Sequence, residues 1–352
     1  MKSHALRHVL THLITPLLMC VGMGLAYMGA FVTPEPNHLP VAVVGSGPKA
    51  KVLAQSVKDE AGDALDVRTV ASRADAVRLL EARDITGAYV PGEAPEVLVA
   101  TAASDMGAMA AEKVFTPLAE EQGVPVEVTD VATPVDDDPT GQGLFFLLIA
   151  VSIGSYASVA ALGAAGAALS MRVRALLTLG VSVVVSGIGA LLAGPVFHLA
   201  HHDLAGVWGM AWLYAAGILF IGVGLHTFLK RWTTLAMMVL FVMLNFTSSG
   251  GLFRPELQNG FFGTLHAFWN GAGFVEGTRG LLYFDGDGLG RSVWTLLAWL
   301  LLGLLVTAVA ALRERAATAP APVTAGKHAR PDGREAGAEA EADEEAEESV
   351  GV

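Results

Sequence analysis

Residues 143–170, GLFFLLIAVSIGSYASVAALGAAGAALS, decide the fold class, because they contain no Asp, Glu, Lys or Arg. About 20 apolar residues suffice for a helix to cross about 30 Å of hydrocarbon. Five further uncharged stretches lie at 9–33, 175–199, 207–229, 232–250 and 293–312. Of the 352 residues, 53% are hydrophobic and 16% are charged, whereas soluble domains have about 25% charged residues. The sequence therefore predicts a membrane protein with an all-α six-helix bundle.

The positive charges indicate how these helices are oriented. Four basic pairs flank the stretches: Lys2 and Arg7, Arg172 and Arg174, Lys230 and Arg231, and Arg313 and Arg315. All four fall on one side if every stretch crosses, and basic loops favour the cytoplasmic side. We therefore expect a multi-pass protein of the cell (plasma) membrane with both termini inside (N-in, C-in). Residues 1–8 would be a cytoplasmic N-terminus, and 9–33 an uncleaved first transmembrane helix.

The net charge of −12 is unevenly distributed along the chain. Residues 34–141 carry −11 and residues 316–352 carry −6, whereas the remainder carries +5. A nucleic-acid binder needs a basic patch on a folded domain, so no nucleic-acid partner is predicted. The single cysteine, Cys20, excludes a disulfide framework. Residues 313–352 are rich in Ala, Pro, Gly and Glu, and are predicted to form a disordered acidic cytoplasmic tail.

Residues 34–141 are predicted to form an extracytoplasmic α/β domain between the first and second spans. Strands are expected at 40–44, 65–70, 85–90, 96–101 and 124–131, and helices at 48–60, after Ser72, and at 105–122. Ser72 with Asp75 three residues later is a variant of the capping box. The sequence Gly45-Ser46-Gly47 lacks the third glycine of a dinucleotide fingerprint. We interpret it as a turn between a strand and a helix.

The spans contain no ionisable side chain except histidines near their ends. Ionisable groups within a bilayer usually mark ion or proton pathways, so their absence argues against ion-coupled transport. No nucleophile with its base and no metal-ligand set stands out in the sequence. The chain is therefore predicted not to be an enzyme, and to have no catalytic residues, metal or cofactor.

Small residues recur along the second span. They are Gly154, Ala157, Ser158, Ala161 and Ala165. Faces of this kind let helix backbones approach closely in membranes. The pattern predicts either packing within the bundle or a dimer seam.

The segment 251–290 is too apolar for a free loop, yet glycines interrupt it too often for a full crossing. Irregular backbone at membrane depth requires cover from protein or a water-filled cavity. A re-entrant or interfacial pair of helices is therefore predicted within a five-span domain, 142–312. Glu276 and Arg279 are three residues apart, so one helical face would bring them together.

Two groups of residues carry a family resemblance. One is Asp137-Asp138-Pro139 leading into Gly141-Gln142-Gly143-Leu144. The other is the series Ser248-Ser249-Gly250-Gly251, Pro255, Phe261-Phe262, Leu265-His266, Phe268-Trp269, Gly271-Ala272-Gly273, Glu276 and Arg279. With the order of one span, an outward α/β domain and five spans, these residues resemble the ABC-2-type transporter permeases, including the YhgE/Pip-like membrane proteins of actinobacteria.

The resemblance implies a permease subunit that exports or flips a hydrophobic or amphipathic substrate. It implies a homodimer or heterodimer in the lipid bilayer, driven by a separate cytoplasmic ATPase subunit. The substrate path or gate would then involve Asn245, Ser248, Ser249, Gly250, Gly251, Trp269, Glu276 and Arg279.

A second hypothesis is a non-transporting envelope protein, phage-receptor-like or a scaffold, whose extracytoplasmic domain binds a partner. It is favoured by the short connection Met171-Arg172-Val173-Arg174 between the second and third spans. Permeases of this type usually present a cytoplasmic coupling helix there.

Overall fold

The computed structural model describes residues 2–121, 123–166 and 168–318. Five helical segments of this part of the chain are long and apolar enough to cross a membrane: Leu13–Phe31, Gly143–Ala165, Met171–Val196, Leu204–Ser248 and Leu289–Ala317. Large apolar side chains on them, such as Leu25, Leu176 and Leu305, are exposed in the isolated chain. Lipid would cover such surfaces, so these helices agree with the predicted helical membrane protein.

In chain order the helices are α1 (Lys2–Phe31), α2 (Pro48–Ala61), α3 (Arg73–Glu81), α4 (Asp105–Glu121), α5 (Gly143–Ala165), α6 (Met171–Leu191), α7 (Leu204–Leu229), α8 (Thr233–Met238), α9 (Leu244–Ser248), α10 (Gly260–His266), α11 (Asn270–Tyr283) and α12 (Leu289–Thr318). The strands are β1 (Leu39–Val44), β2 (Leu65–Val70), β3 (Gly87–Val90), β4 (Glu96–Val99) and β5 (Glu127–Asp130). A π-helical turn, Val239–Met243, joins α8 to α9.

The segment Leu204–Ser248 reverses its direction at Lys230, whose φ of 48° ends α7. α8 and α9 then run back along α7. Tyr214 and Asn245, at nearly equal sequence distances from the turn, are hydrogen-bonded to each other. Gly222 likewise lies against Met237. The segment is therefore a helical hairpin with two arms.

Three of the basic pairs lie at one end of the bundle. Arg174, near the start of α6, pairs with Glu314 near the end of α12. The Thr227 hydroxyl, near the end of α7, lies 3.3 Å from the same carboxylate. Arg313 lies over the ring of Phe228, 5.1 Å from its centre. The start of α6 and the ends of α7 and α12 thus share one end of the bundle, which we call the basic end.

The α/β domain lies at the opposite end. Its five strands have the order β2-β1-β3-β4-β5. β1 is parallel to β2 and β3, β3 and β4 are antiparallel, and β4 and β5 are parallel. The rings of Tyr89 and Phe115 stack 5.7 Å apart in the core between the sheet and α4. Phe31, at the end of α1, stacks on Phe253 from the segment after α9, which ties this core to the membrane helices.

Local signals in the sequence locate these elements correctly. All five strands form where the sequence predicts them; β2 has the predicted range, β1 begins one residue earlier, and the other three are shorter than predicted. The Ser72 hydroxyl accepts a hydrogen bond from the Asp75 N–H at 3.1 Å and caps α3. Gly45 has a φ of 136° at the end of β1, a conformation that favours glycine. The glycine-containing sequence after β1 is therefore a structural turn, as predicted.

Asp138 caps the start of α5, because its carboxylate accepts a hydrogen bond of 2.7 Å from the Gly143 N–H. An acid at a helix N-terminus pairs with otherwise unsatisfied backbone donors. The side chain is buried rather than solvated. Burial raises the pKa of this carboxyl, and the backbone hydrogen bonds from residues 142 and 143 oppose that effect.

Two predicted boundaries are wrong. Residues 313–318 continue α12, because Ala, Arg and Glu favour a helix even without burial, so the predicted disordered tail does not begin at 313. Residues 2–8 are helical and belong to α1, and their cytoplasmic location stays a prediction. The second span ends at Ala165, before 170, because the chain turns at Gly166. The remaining tail, 319–352, lies outside the described residues.

The small residues of α5 do not all pack in the same way. Gly154 lies against Val185 of α6, and the Ser158 hydroxyl donates to the Gly154 carbonyl at 2.7 Å. Ala157, Ala161 and Ala165 are exposed. Packing within the chain therefore explains Gly154 but does not explain the three alanines.

Candidate functional site

The segment between α9 and α12 covers the end of the bundle next to the α/β domain. Its short helices follow from local signals. The Asn259 side chain accepts from the N–H groups of Phe261 and Phe262 and caps α10. Gly250, with a φ of 72°, turns the chain away from α9. The segment thus forms two helices, α10 and α11, at one end of the bundle, and their re-entrant or interfacial position in a membrane stays a prediction.

α11 brings a charged pair to this end of the bundle. Arg279 donates to the Glu276 carboxylate, which confirms the predicted pairing of two residues three positions apart. Only 4% of the Arg279 side chain is exposed. Arg279 also donates to the Gly250 carbonyl at 3.2 Å. The pair therefore holds the turn after α9 against α11.

A third charged group comes from the α/β domain. Arg83, just after α3, donates to the Glu276 carboxylate at 2.9 Å and to the Asp287 carbonyl at 2.7 Å. Its guanidinium lies over the ring of Phe284, 5.2 Å from the centre. The Arg83 side chain is 11% exposed. Glu276 thus accepts from arginines of two domains at once.

Arg254 and Glu256 extend the cluster. Their side chains pair at 3.2 Å, and Arg254 also donates to the Arg83 carbonyl at 3.3 Å. We call Arg83, Arg254, Glu256, Glu276 and Arg279 the junction cluster. Sequence reasoning missed the contribution of Arg83 and Arg254, since neither residue shows a local signal for a contact with α11.

A cavity of about 450 Å³ lies beside the junction cluster. Its charged and polar lining residues are Arg83, Asp84, Arg254, Glu256, His266, Glu276, Arg291, Ser292 and Thr295. Arg291 is exposed and donates to the Ala267 carbonyl at 3.3 Å. Near it, Phe268 and Trp294 are also exposed, and exposed aromatic residues are typical of the membrane–water interface. The cavity therefore has a charged and polar lining, and the exposed rings of Phe268 and Trp294 lie outside that lining.

The junction cluster sets the charge state of two titratable groups. Burial alone would raise the pKa of Glu276, but Arg279, His266, Arg83 and Arg254 outweigh it and hold the pKa below its usual range. Burial lowers the pKa of His266, although Glu276 opposes this effect. Near neutral pH the cavity thus presents an ionised Glu276 beside a neutral imidazole.

The structure brings most of the predicted path residues together. Ser248 and Ser249 are fully buried, and the Ser248 carbonyl lies 3.0 Å from Nδ1 of His266. Gly250 lies beside His266 and Glu276. Gly251 contacts the ring of Phe145. Ser248 and Gly250 thus lie against the cavity-lining residues His266 and Glu276, but none of the four residues lines the cavity itself.

Trp269 has a different neighbourhood. Its indole N–H donates to the Leu240 carbonyl at 3.1 Å, and its ring packs against Trp299 at 5.1 Å. Trp269 is 7% exposed. Trp269 thus connects the π-helical turn that precedes α9 with α12. It does not line the cavity.

Asn245 lies deeper, in a polar network between α5, α7 and α9. The Tyr214 hydroxyl bonds to Ser152, and it accepts from the Asn245 amide. The Ser152 hydroxyl also donates to the Leu148 carbonyl at 2.7 Å. Among the described residues, Oδ1 of Asn245 and both side-chain polar atoms of Asn270 are buried without a hydrogen bond. Such groups are rare in native proteins.

Replacing Tyr214 by phenylalanine is expected to lower the free energy of unfolding by about 1–3 kcal/mol, because the Asn245 amide and Ser152 would lose a buried partner. Thermal unfolding of the purified protein in detergent measures this effect. Tyr156→Phe, on α5 and only half-buried, is the matched control and should change little. Equal unfolding temperatures for both variants would contradict the assigned network.

Within the described residues, no group of three or more His, Cys, Asp and Glu side chains is arranged to hold a metal ion. Comparison of this chain with protein-family models, with curated proteins and with solved structures finds no match.

Proposed function

We propose that the chain is a multi-pass protein of the plasma membrane with six crossings. Each arm of the α7–α9 hairpin counts as one crossing in this arrangement. The shared position of three basic pairs at the basic end supports a cytoplasmic location for that end. The α/β domain, at the opposite end, is then extracytoplasmic.

Within this topology, the chain acts as an ABC-2-like permease subunit that exports or flips a hydrophobic or amphipathic substrate. A separate cytoplasmic ATPase supplies the energy, and no residue of this chain performs covalent chemistry. The observation that carries the proposal is the cavity of about 450 Å³ beside the junction cluster. Its charged lining suits a polar headgroup. The exposed Phe268 and Trp294, next in sequence to the lining residues Ala267 and Thr295, suit the membrane–water interface, where the apolar tail would leave the cavity.

The predicted path residues take specific roles in this proposal. Glu276 and Arg279 hold the floor of the cavity closed, and Ser248, Ser249, Gly250 and Gly251 form that floor. Asn245 lies below this floor, and its buried Oδ1 atom accepts no hydrogen bond. Movement of α11 would separate the Arg279 guanidinium from the Gly250 carbonyl and open the floor toward Asn245.

Dimerisation belongs to the same proposal. The exposed alanines of α5, Ala157, Ala161 and Ala165, are free of intrachain packing that would explain them. Close contact between two such faces would join two copies, or this chain and a related one, within the bilayer.

The decisive experiment is transport in proteoliposomes that contain the chain and an ATPase encoded beside it. A fluorescent phospholipid should cross the bilayer on addition of ATP, at a rate that falls with Arg291→Ala at the cavity edge. An ATPase unable to hydrolyse ATP and the variant Arg78→Ala, on the exposed surface of α3, serve as controls. If ATP does not change the rate of lipid movement with any ATPase encoded beside the chain, the proposal is contradicted.

A specific observation also favours the second candidate, an envelope protein that binds a partner without transport. α5 ends at Ala165 and α6 begins at Met171, which leaves no room for a coupling helix between them. The partner would bind the exposed face of the α/β domain, where Val52 and Met109 are exposed. Loss of the cellular phenotype in Val52→Glu and Met109→Glu variants that still insert normally would favour this candidate.

A further inference from the structure

A second cavity, of about 300 Å³, lies at the basic end between α5 and the turn that joins α7 to α8. Its lining residues are Tyr156, Val159, Ala160, Gly163, Ala164, His226, Lys230, Arg231, Thr233, Thr234 and Met237. None of these is acidic. We call this space the basic-end cavity.

The inner wall of the basic-end cavity is apolar and closely packed. Val159 and Met237 are buried at 1% exposure each. Gly163 lies directly against the imidazole of His226, where an added Cβ would come within 2.7 Å of the ring. Ala160 and Ala164 are exposed beside this wall. The cavity therefore borders the part of α5 that a bilayer would cover.

The rim of the cavity is positively charged. Lys230 and Arg231 are both exposed there, and the Arg231 guanidinium lies over the ring of Trp232, 5.4 Å from its centre. Trp232 is itself exposed, as is typical of tryptophan at the membrane–water interface. The carboxylate of Glu314, at the same end, is paired with Arg174 and does not line the cavity.

We propose that the basic-end cavity binds an anionic phospholipid of the cytoplasmic leaflet. Lys230 and Arg231 would contact the phosphate, and an acyl chain would lie along Ala160 and Ala164. Basic pockets between transmembrane helices on the cytoplasmic side suit anionic headgroups. A choline or other cationic headgroup fits poorly, since no lining residue carries a negative charge. This site is separate from the junction cluster and does not depend on transport.

Lipid binding to the full-length protein tests the site directly. Purified protein is titrated with phosphatidylglycerol or phosphatidylcholine, and bound lipid is counted by native mass spectrometry. Phosphatidylglycerol should bind more tightly than phosphatidylcholine. The double variant Lys230→Ala with Arg231→Ala should lower the phosphatidylglycerol affinity by roughly tenfold or more, since each basic residue contributes to attraction of the headgroup. Phosphatidylcholine binding should stay unchanged.

Two matched controls separate this site from general charge at the same end. The double variant Arg172→Ala with Arg313→Ala removes two positive charges near the basic end without altering the lining, and it should bind phosphatidylglycerol nearly as the parent does. Ala164→Trp should block the cavity wall and weaken binding, whereas Leu176→Trp, exposed on α6 and outside the lining, should not.

The proposal would be overturned if both double variants, at Lys230 and Arg231 and at Arg172 and Arg313, lost the same amount of phosphatidylglycerol affinity. Equal losses would indicate that the lipid is attracted by the charge of the whole basic end. Normal binding by Ala164→Trp would also overturn it. Millimolar inorganic phosphate should fail to displace the lipid, since the apolar wall contributes to binding. Displacement by phosphate alone would assign the rim to a free anion and exclude the lipid.

Discussion

Replacing Glu276 by alanine is expected to lower the free energy of unfolding by roughly 3 kcal/mol, because the buried Arg279 would lose its carboxylate partner. The effect lies at the lower end of the range for broken buried pairs, since 27% of the Glu276 side chain is exposed. Arg83 would lose a partner at the same time. Thermal and chemical unfolding of the purified protein, followed by tryptophan fluorescence, measures the loss.

The matched control is Arg78→Ala on α3. Arg78 also pairs with an acid three residues away, but 74% of its side chain is exposed, so its loss should change stability little. Glu276→Gln should fall between the two, since it retains hydrogen-bond acceptance without the charge. If Glu276→Ala unfolds like the parent, the junction cluster does not hold the two domains together.

The stabilisation from Glu276 should also depend on pH. Its folded-state pKa is held below the ordinary value of about 4.3, so the contribution is fully present above that pH. It is lost as the pH falls through the lower folded value. The stabilities of the parent and of Glu276→Ala should therefore converge in strong acid, and a constant difference down to that range would contradict the assignment.

Replacing Gly224 by leucine is expected to destabilise the bundle by at least the roughly 1–3 kcal/mol typical of overpacking. A Cβ at this position would lie 2.8 Å from the backbone nitrogen of Thr307 and 2.9 Å from the carbonyl carbon of Val306. Backbone atoms cannot rotate aside, so α12 would have to move away from α7. Thermal unfolding in detergent measures the effect.

Gly209 provides the matched control, because it lies on the same helix with nothing within 4 Å of its added Cβ. Gly209→Leu should be neutral or slightly stabilising, since leucine favours a helix over glycine. A reciprocal contact predicts that Gly303→Leu behaves like Gly224→Leu, because its Cβ would lie 3.1 Å from the Gly217 carbonyl. Similar stabilities for Gly209→Leu and Gly224→Leu would contradict the close backbone contact between α7 and α12 at Gly224.

Local and periodic features were predictable from the sequence. The cap at Ser72 depends on a residue three positions away, and the Glu276–Arg279 pair depends on one helical turn. The strands of the α/β domain follow alternating or continuous apolar runs between turn residues. Each of these signals involves neighbouring residues, so chain geometry alone fixes the outcome.

The candidate site was only partly predictable. The sequence pointed to Ser248, Gly250, Glu276 and Arg279, and these residues do lie together. Arg83 was missed because 193 residues separate it from Glu276. Its contact depends on how the α/β domain sits on the bundle, which no local pattern encodes.

The sequence by itself determined the membrane character of this protein, the position of the α/β domain in the chain and the location of its basic clusters. Those features follow from composition and short-range periodicity, which do not depend on contacts between distant parts of the chain. Only the tertiary structure decided which glycines allow close helix contact and which arginines meet Glu276. Both depend on distances between elements far apart in the chain, because packing and ion pairing act over a few ångströms in space.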